Sequence, residues 1–196
     1  NQDLSASVLN SANVAAQQFI TIHAESINSI LALGIGDGLY IEPYKKIFSN
    51  ASIAGIDISS RMLTYAKERL DCDIYHGDIA DTVTLTKGKT FDLALAHFVC
   101  AYVKPEVILK QAQSLLTKGG YLSVVTNTYQ SFPKIMAAYE AYVSSNSWFA
   151  NLLRTHIDST FDTVFVPKNT SVLKEQFSHH GFMLVDEKQM TLEIEF

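Results

Sequence analysis

The amino-acid sequence predicts one α/β domain built on a doubly wound, mostly parallel sheet. Short apolar runs with strand character alternate with amphipathic helical segments, and the alternation yields five strands by Thr126. A glycine-rich turn follows the first strand. Crossovers between successive parallel strands are right-handed, so this order favours a parallel sheet covered by helices on both faces. With 196 residues, 47% of them apolar, the chain is long enough to bury such a core.

Each element is predicted from local pattern. The predicted strands are 28–33, 52–57, 73–78, 91–98 and 121–126, with a long alternating strand at 182–196. The run 91–98 is continuously apolar, which is typical of a central strand. Helices are predicted for the opening segment to His23, for about 39–48, for 61–70 with an N-cap at Ser59 or Ser60, from Pro105 to the Gly119-Gly120 pair, and for 171–181.

The segment 127–170 differs from the rest because it has no clear strand and holds eight of the chain's 21 aromatic residues. We therefore divide a single domain, 1–196, into four parts. Residues 1–25 are a cap helix, 28–126 the ligand-binding core, 127–170 an insert covering the substrate, and 171–196 a final helix and strand.

Composition argues against several classes of function. The net charge is −5 and the basic residues are scattered, which argues against a nucleic-acid partner. No apolar stretch reaches the ~20 residues that span a bilayer, so we expect no membrane partner and a cytoplasmic location. Cys72 and Cys100 are interpreted as reduced packing thiols, and no group of residues has metal-ligand spacing.

The stretch SILALGIGDGLY, residues 29–40, places three glycines between the first strand and a helix. In a doubly wound sheet this turn lies where a nucleotide-like ligand binds. Asp57 ends the second strand, where a carboxylate can accept from both hydroxyls of a ribose. Asp78 ends the third strand, where a carboxylate can accept from an exocyclic amine while the Ile79 amide reaches a ring nitrogen. Either acid alone is equally well explained as a helix cap.

Together, LALGIGDG, GIDIS, HGDI, FDLALAHFVCAYV and LLTKGGYL resemble the successive motifs of class I S-adenosylmethionine-dependent methyltransferases. The resemblance is firm over residues 28–126 and loose over 172–196. It implies a Rossmann-like fold and S-adenosyl-L-methionine as cofactor, with S-adenosyl-L-homocysteine as product. The cofactor-binding residues that it implies are Gly34, Ile35, Gly36, Gly38, Asp57, Ile58, Met62, Asp78, Ile79, Ala96, His97 and Phe98.

A dinucleotide is the alternative ligand. Its usual fingerprint is G-x-G-x-x-G, whereas this loop runs G-I-G-D-G and puts Asp37 where a pyrophosphate would lie. The family's first strand usually carries an acid two residues before the first glycine, which helps to hold the methionine ammonium. Here that position is Ala32, so Asp37 or carbonyls of the loop would have to substitute.

Candidates for chemistry are few, because methyl transfer from a sulfonium is an in-line displacement driven largely by alignment. His97 is the best-placed base, with hydrogen bonding to the cofactor or main chain as the alternative role. The candidate substrate contacts are Tyr40, Tyr102, Tyr129, Phe132, Trp148 and His156.

We therefore predict methyl transfer from S-adenosylmethionine to a small organic acceptor, by O- or N-methylation. Two alternatives stay open: a catalytically weak or inactive cofactor-binding module, motivated by Ala32, and a protein methyltransferase. The family normally pairs its last strand with a reversed seventh strand, which is not present by Phe196. We expect a truncated or longer protein, or a homodimer formed through this edge.

Overall fold

Five parallel strands form one sheet in the order β3-β2-β1-β4-β5. The computed structural model of the chain describes residues 3–128, 131, 133–144 and 165–190. The strands are β1 (Ser29–Leu33), β2 (Ser52–Asp57), β3 (Asp73–His76), β4 (Phe91–His97) and β5 (Leu116–Val125). The strand order reverses after β3, between β1 and β4, which creates a crevice at their carboxyl ends. The predicted fold class is confirmed.

Helices flank the sheet. They are α1 (Asp3–His23), α2 (Glu42–Ile47), α3 (Ser60–Arg69), α4 (Thr82–Leu85), α5 (Pro105–Leu115), α6 (Pro133–Val143) and α7 (Thr170–His179), with 3-10 turns at Leu39–Ile41, Ile79–Asp81 and Val99–Ala101. The predicted N-cap of α3 is confirmed at Ser59, whose hydroxyl accepts from the Met62 N–H at 3.4 Å. Ordinary helix-start chemistry therefore places α3 directly after β2.

The core lies on both faces of the two central strands, β1 and β4. One cluster includes Ile30, Ala32 and Leu95 with Tyr44 of α2, and the other includes Leu31 and Leu33 with Ile108 of α5. Because both faces are covered, these strands are continuously apolar, as parallel sheets require. Ala32 is fully buried in the first cluster, so its side chain serves packing.

Most predicted boundaries agree with the structure to within two residues, and two differ by three or more. The helix predicted for 39–48 begins with a 3-10 turn and becomes α-helical only at Glu42. Strand β5 begins at Leu116 rather than at 121, and the Gly119-Gly120 pair lies inside it instead of ending α5. The register between β4 and β5 shifts between Phe91 and Leu93, and this irregularity accommodates the extra residues.

The prediction of a strand at 182–196 is wrong over its described part, because residues 182–190 form no strand. A strand needs a neighbouring backbone to bond to, and an alternating pattern does not supply one. The segment instead makes side-chain contacts: Asp186 with His23 at 3.1 Å and Glu187 with Lys174 at 2.7 Å. Residues 191–196 lie outside the described part.

Much of the predicted insert also lies outside the described residues, including Tyr129, Phe132, Trp148 and His156. Within it, the structure describes α6 and the residues that follow from 165. Among the described helices, none combines the length and apolar character that crossing a bilayer requires.

Candidate functional site

The three glycines of the loop after β1 serve different purposes. All have positive φ, between 58° and 80°, which side chains rarely adopt. A Cβ on Gly34 would lie 2.3 Å from Cγ1 of Val99, and one on Gly38 would lie 2.9 Å from Cδ1 of Leu70. A Cβ on Gly36 would meet nothing within 4 Å. Gly34 and Gly38 are therefore required by packing, and Gly36 alone of the three faces open space in the crevice.

Asp57, the last residue of β2, holds this loop. Its Oδ2 accepts from the Gly36 N–H at 2.9 Å, and its Oδ1 accepts from the Ser59 N–H at 2.9 Å. The carboxylate thus fixes the loop after β1 relative to the start of α3. A carboxylate has about four lone-pair sites, so further donors in the crevice can still bind to it.

Asp37, in the same loop, contacts Arg69 at the end of α3. Its Oδ1 accepts from the Leu39 N–H at 3.1 Å, and its Oδ2 lies 3.5 Å from the Arg69 guanidinium. Arg69 also donates to the Asp37 carbonyl at 3.1 Å and pairs with Glu42. The acid is therefore a partner of Arg69, which ties the loop to α3 and α2.

Apolar side chains lie uncovered beside Asp57. Ile58 is 72% exposed and Met62 is 41% exposed, although both are large and hydrophobic. The backbone of Ile58 is held in place, because its carbonyl bonds to Nε2 of His76 at 3.0 Å. Such fixed apolar surface beside a carboxylate suits a flat heterocycle attached to a sugar.

Ile35 differs from these residues because its side chain is fully buried. A Cβ on Gly55 of β2 would lie 2.3 Å from Cδ1 of Ile35, so Gly55 leaves the room that this side chain fills. The Ile35 and Gly34 N–H groups both donate to the Ile56 carbonyl at 2.9 Å. Ile35 anchors the loop on β2 rather than offering a surface to the crevice.

Asp78 caps the turn that follows β3. Its Oδ1 accepts from the Ala80 N–H at 2.8 Å, which confirms a capping role without excluding a ligand role. Ile79 is 6% exposed, and its Cδ1 lies 3.9 Å from where a Cβ of Gly34 would be. The turn after β3 and the glycine loop are therefore neighbours at the same edge of the sheet.

Ala96, His97 and Phe98 form the end of β4 and the residue that follows it. Ala96 is fully buried, His97 is 5% exposed and Phe98 is half-buried. Phe98 has φ 59°, a left-handed conformation that costs a bulky residue energy and that clusters at functional sites. Its N–H donates to the Val125 carbonyl, at 2.6 Å, which keeps the strained residue on β5.

Both ring nitrogens of His97 have partners. Nδ1 lies 2.8 Å from the side-chain oxygen of Asn13 in α1, so it carries the proton, and Nε2 accepts from the Ser123 hydroxyl of β5 at 3.1 Å. The Tyr40 ring lies over the imidazole at a centroid distance of 5.1 Å, and Tyr44 meets it edge-on at 6.2 Å. His97 is thus a buried junction between α1, α2 and the sheet.

Burial lowers the pKa of His97 to about 3, so the imidazole is neutral at physiological pH. Burial also raises the pKa of Tyr40, with smaller contributions from Tyr44 and Asp57, and this keeps its phenol protonated. The Tyr40 hydroxyl donates to the Gly34 carbonyl at 3.3 Å. Tyr44 has a raised pKa through burial; its hydroxyl is fully buried near Ser123, without a formed hydrogen bond among the described residues.

Of the predicted substrate contacts in the described residues, Tyr40 lines the glycine loop and Tyr102 is 81% exposed. The two cysteines are free, and burial raises the pKa of the Cys100 thiol to about 11. A Cys100 thiol at neutral pH is therefore protonated, consistent with packing.

The sequence analysis did not identify the residues that hold the loops, turns and strand ends of the candidate site in place. These residues are Asn13, Tyr44, Gly55, Arg69, Gln111 and Ser123. The hydrogen bonds that Asn13, Ser123, Arg69 and Gln111 make to the site span 26 to 84 positions of the chain, so no local motif marks them. Gly55, inside a strand, carried the one available signal, since glycine there marks close approach of another group.

Known proteins with sequences similar to this chain are methyltransferases. Residues 31–124 match the family model of the methyltransferase domain. A ribosomal RNA small subunit methyltransferase C from Haemophilus influenzae is 28% identical over 127 residues, which cover 61% of this chain and 38% of that protein. The chain therefore spans about two fifths of the length of the curated relatives that it matches.

Solved structures share the fold. A protein of Nostoc punctiforme assigned provisionally as an O-methyltransferase has a TM-score of 0.60 at 19% identity, covering 89% of this chain and 50% of that one. The plantazolicin methyltransferase BpumL, in complex with SAH and a monoazolic desmethylPZN analogue, has a TM-score of 0.59 at 19% identity, covering 86% and 61%. At these identities the likeness establishes fold alone. Residues 31–124 thus match a methyltransferase domain, and the chain has the fold of the class I S-adenosylmethionine-dependent methyltransferases, with the glycine loop, Asp57 and Asp78 at one edge of the sheet.

Proposed function

We propose that the crevice binds S-adenosylmethionine and that the protein transfers its methyl group to a small organic acceptor. The observation that carries the proposal is the open space at Gly36, whose N–H bonds to the Asp57 carboxylate, with the exposed Ile58 and Met62 shortly after Asp57 in the chain. A Cβ at position 36 would occupy this space. Because glycine leaves it open, the residues present fit a ligand that lies against the main chain. The bound cofactor supplies an electrophilic methyl group on a sulfonium.

Each residue then has a role. Asp57 accepts from the ribose hydroxyls while it fixes the loop through Gly36. Ile58 and Met62 cover the adenine, and Asp78 with the Ile79 N–H binds its edge. Asp37 is committed to Arg69, so carbonyls of the glycine loop are the better substitute for the acid missing at Ala32.

His97 acts by position rather than by proton transfer. Both of its nitrogens are hydrogen-bonded and it is 5% exposed, so an acceptor cannot reach it without breaking the contacts to Asn13 and Ser123. Its neutral ring avoids a positive charge beside a cationic sulfonium. We therefore propose acceptors that are nucleophilic without a protein base, aligned by the cap helix and by the aromatic segment 127–170.

A small acceptor is favoured over RNA by the net charge of −5 and by the aromatic content of residues 127–170. The similarity to an rRNA methyltransferase favours RNA as the second candidate. That relative is matched over 38% of its length, so the match alone does not extend its RNA substrate to this chain.

Calorimetric titration with S-adenosylhomocysteine tests the cofactor site. We expect Asp57→Asn to weaken binding about tenfold or more, because two hydroxyl contacts and the loop contact change together. Asp37→Asn is the matched control and should bind as wild type does. Equal losses in both variants, or none in either, contradict the site.

The class of acceptor is then tested by measuring methyl transfer to three panels of candidates: small molecules, ribosomal RNA and proteins. We expect turnover with small carboxylates or with weakly basic amines, which are nucleophilic at neutral pH without a base, and none with ribosomal RNA or with proteins. Turnover on RNA alone would overturn the small-acceptor proposal while leaving the cofactor site intact. Tight cofactor binding without turnover on any panel would identify a binding module.

A further inference from the structure

Gln111 of α5 is a buried polar side chain to which the proposed reaction gives no role. It is 8% exposed, and both ends of its amide are used. Nε2 donates to the Ala80 carbonyl at 2.7 Å, and Oε1 accepts from the Val83 N–H at 2.9 Å. A primary amide is the side-chain group that offers a donor and an acceptor side by side, so it matches these two backbone groups.

One of the two backbone groups, the Ala80 carbonyl, belongs to the turn that carries Asp78 and Ile79, and the other, the Val83 N–H, belongs to the helix α4 that follows directly. Ala80 is held at both sides: its N–H by Asp78 Oδ1 at 2.8 Å and its carbonyl by Gln111 at 2.7 Å. Thr82 is fully buried and reinforces the turn, since its hydroxyl donates to the Ile79 carbonyl at 2.6 Å. The direction of the Asp78 carboxylate therefore depends on Ala80, a residue whose carbonyl is held by Gln111 of α5.

The Ile79 N–H lies one residue before Ala80 in the same turn, so its position depends on the same contacts. Ile79 is the first residue of the 3-10 turn, so the turn itself provides no acceptor for this N–H. In the proposed site, the carboxylate accepts from the 6-amino group of adenine and the N–H donates to a ring nitrogen. Both contacts require the turn to stay in one place to within a few tenths of an ångström.

We propose that Gln111 is a positioning residue for adenine recognition. It holds the Asp78–Ile79 turn so that a 6-amino purine is accepted and a 6-oxo purine is rejected. Inosine presents an oxygen to the Asp78 carboxylate and a ring N–H to the Ile79 N–H, so both contacts become unfavourable against a fixed turn. A turn that can shift loses this discrimination. The inference rests on the proposed cofactor site.

The test compares S-adenosylhomocysteine with S-inosylhomocysteine by calorimetric titration of the full chain. For the wild type we expect adenosyl to be preferred by roughly 100-fold, since two mispaired groups are involved. For Gln111→Met we expect the preference to fall to about threefold, mainly because adenosyl binds more weakly. Gln113→Met, the same change at an exposed position of α5, should keep the wild-type preference.

Gln111→Glu separates the two hydrogen bonds and serves if the methionine variant does not fold. Its carboxylate still accepts from the Val83 N–H but cannot donate to the Ala80 carbonyl, and we expect a preference between those of the wild type and Gln111→Met. Circular dichroism at the titration temperature confirms that each variant is folded.

The outcomes are distinguishable. An unchanged ratio in folded Gln111 variants, or equal weakening of both ligands, overturns the positioning role and leaves cofactor binding intact. If the wild type binds both ligands equally, the turn does not read the purine edge and the inference fails. If the wild type binds neither, the proposed cofactor site fails and this inference fails with it.

Discussion

At the scale of single residues, Gly36 combines two properties that the other glycines of its loop do not. It has φ 58° and open space where a Cβ would be. Gly34 and Gly38 have positive φ as well, yet a Cβ there would collide with Val99 or Leu70. A substitution at Gly36 therefore tests backbone strain and ligand access without creating a steric collision inside the protein.

We expect Gly36→Ala to lower the free energy of unfolding by about 1–2 kcal/mol, the cost of a left-handed alanine. It should also weaken S-adenosylhomocysteine binding about tenfold, because the methyl group occupies the crevice. Denaturant unfolding and calorimetric titration measure the two effects.

Gly88→Ala is the matched control. Gly88 has φ 70°, and a Cβ there would likewise meet nothing within 4 Å, but this glycine lies after α4, away from the crevice. The variant should lose similar stability and bind the cofactor normally. Normal binding by Gly36→Ala would contradict the placement of the ligand on this main chain.

Burial of His97 makes the free energy of unfolding depend on pH, and the sign of this dependence can be stated. Its pKa is about 3 in the folded chain and about 6.5 in the unfolded chain, because burial disfavours the charged form. Above pH 6.5 both states are neutral at this ring. Below it, the unfolded chain binds a proton that the folded chain does not, so stability falls as the pH drops towards 3, by about 1.4 kcal/mol per pH unit.

Denaturant unfolding between pH 7 and pH 4 measures this slope. His97→Gln should remove its share of the slope, whatever it does to stability at pH 7. His179→Gln, at the exposed end of α7, should leave the wild-type slope in place. A slope that persists unchanged in His97→Gln would show that the ring is not held neutral by burial.

At the scale of elements, Asp92 joins the starts of three strands. Its Oδ2 accepts from the N–H groups of Asn28 and Ser29, at 2.9 and 3.1 Å, and its Oδ1 accepts from the Thr117 hydroxyl at 3.2 Å. The Ser29 hydroxyl donates to Asp92 at 3.1 Å. These contacts lie where β1, β4 and β5 begin, opposite the end that carries the candidate site.

We expect Asp92→Ala to lower the free energy of unfolding by about 2–3 kcal/mol, because several charge-assisted hydrogen bonds are lost at once. Asp73→Ala is the control. Asp73 makes one exposed pair with Lys89 at 3.5 Å, which contributes at most about 1 kcal/mol. Cofactor affinity of the folded Asp92→Ala protein should stay normal, and a large loss would contradict the separation of the Asp92 contacts from the site.

At the scale of the whole molecule, ligand binding is linked to stability. Binding at 100 times the dissociation constant adds about 2.7 kcal/mol, which corresponds to a rise of about 5–10 °C in Tm for a chain of this size. We expect S-adenosylhomocysteine to give this shift in thermal unfolding.

The dinucleotide alternative is tested in the same experiment. NAD⁺ at the same concentration should leave Tm unchanged, because the loop carries Asp37 in place of a free helix N-terminus, and α2 starts after a 3-10 turn. A rise in Tm with NAD⁺ but not with S-adenosylhomocysteine would show that the crevice binds a dinucleotide instead.

The sequence by itself determined the parallel sheet and the alternation of strands and helices along the chain, and it predicted three motifs at the crevice. Periodicity and cap chemistry are local, so β2 could be placed to the residue and the cap of α3 could be narrowed to Ser59 or Ser60. The tertiary structure decided what depends on partners distant in sequence. It distinguished Gly36 from Gly34, committed Asp37 to Arg69, and buried His97 between Asn13 and Ser123. It also left residues 182–190 without a strand, because hydrogen-bond partners and burial are properties of the folded chain that no local pattern encodes.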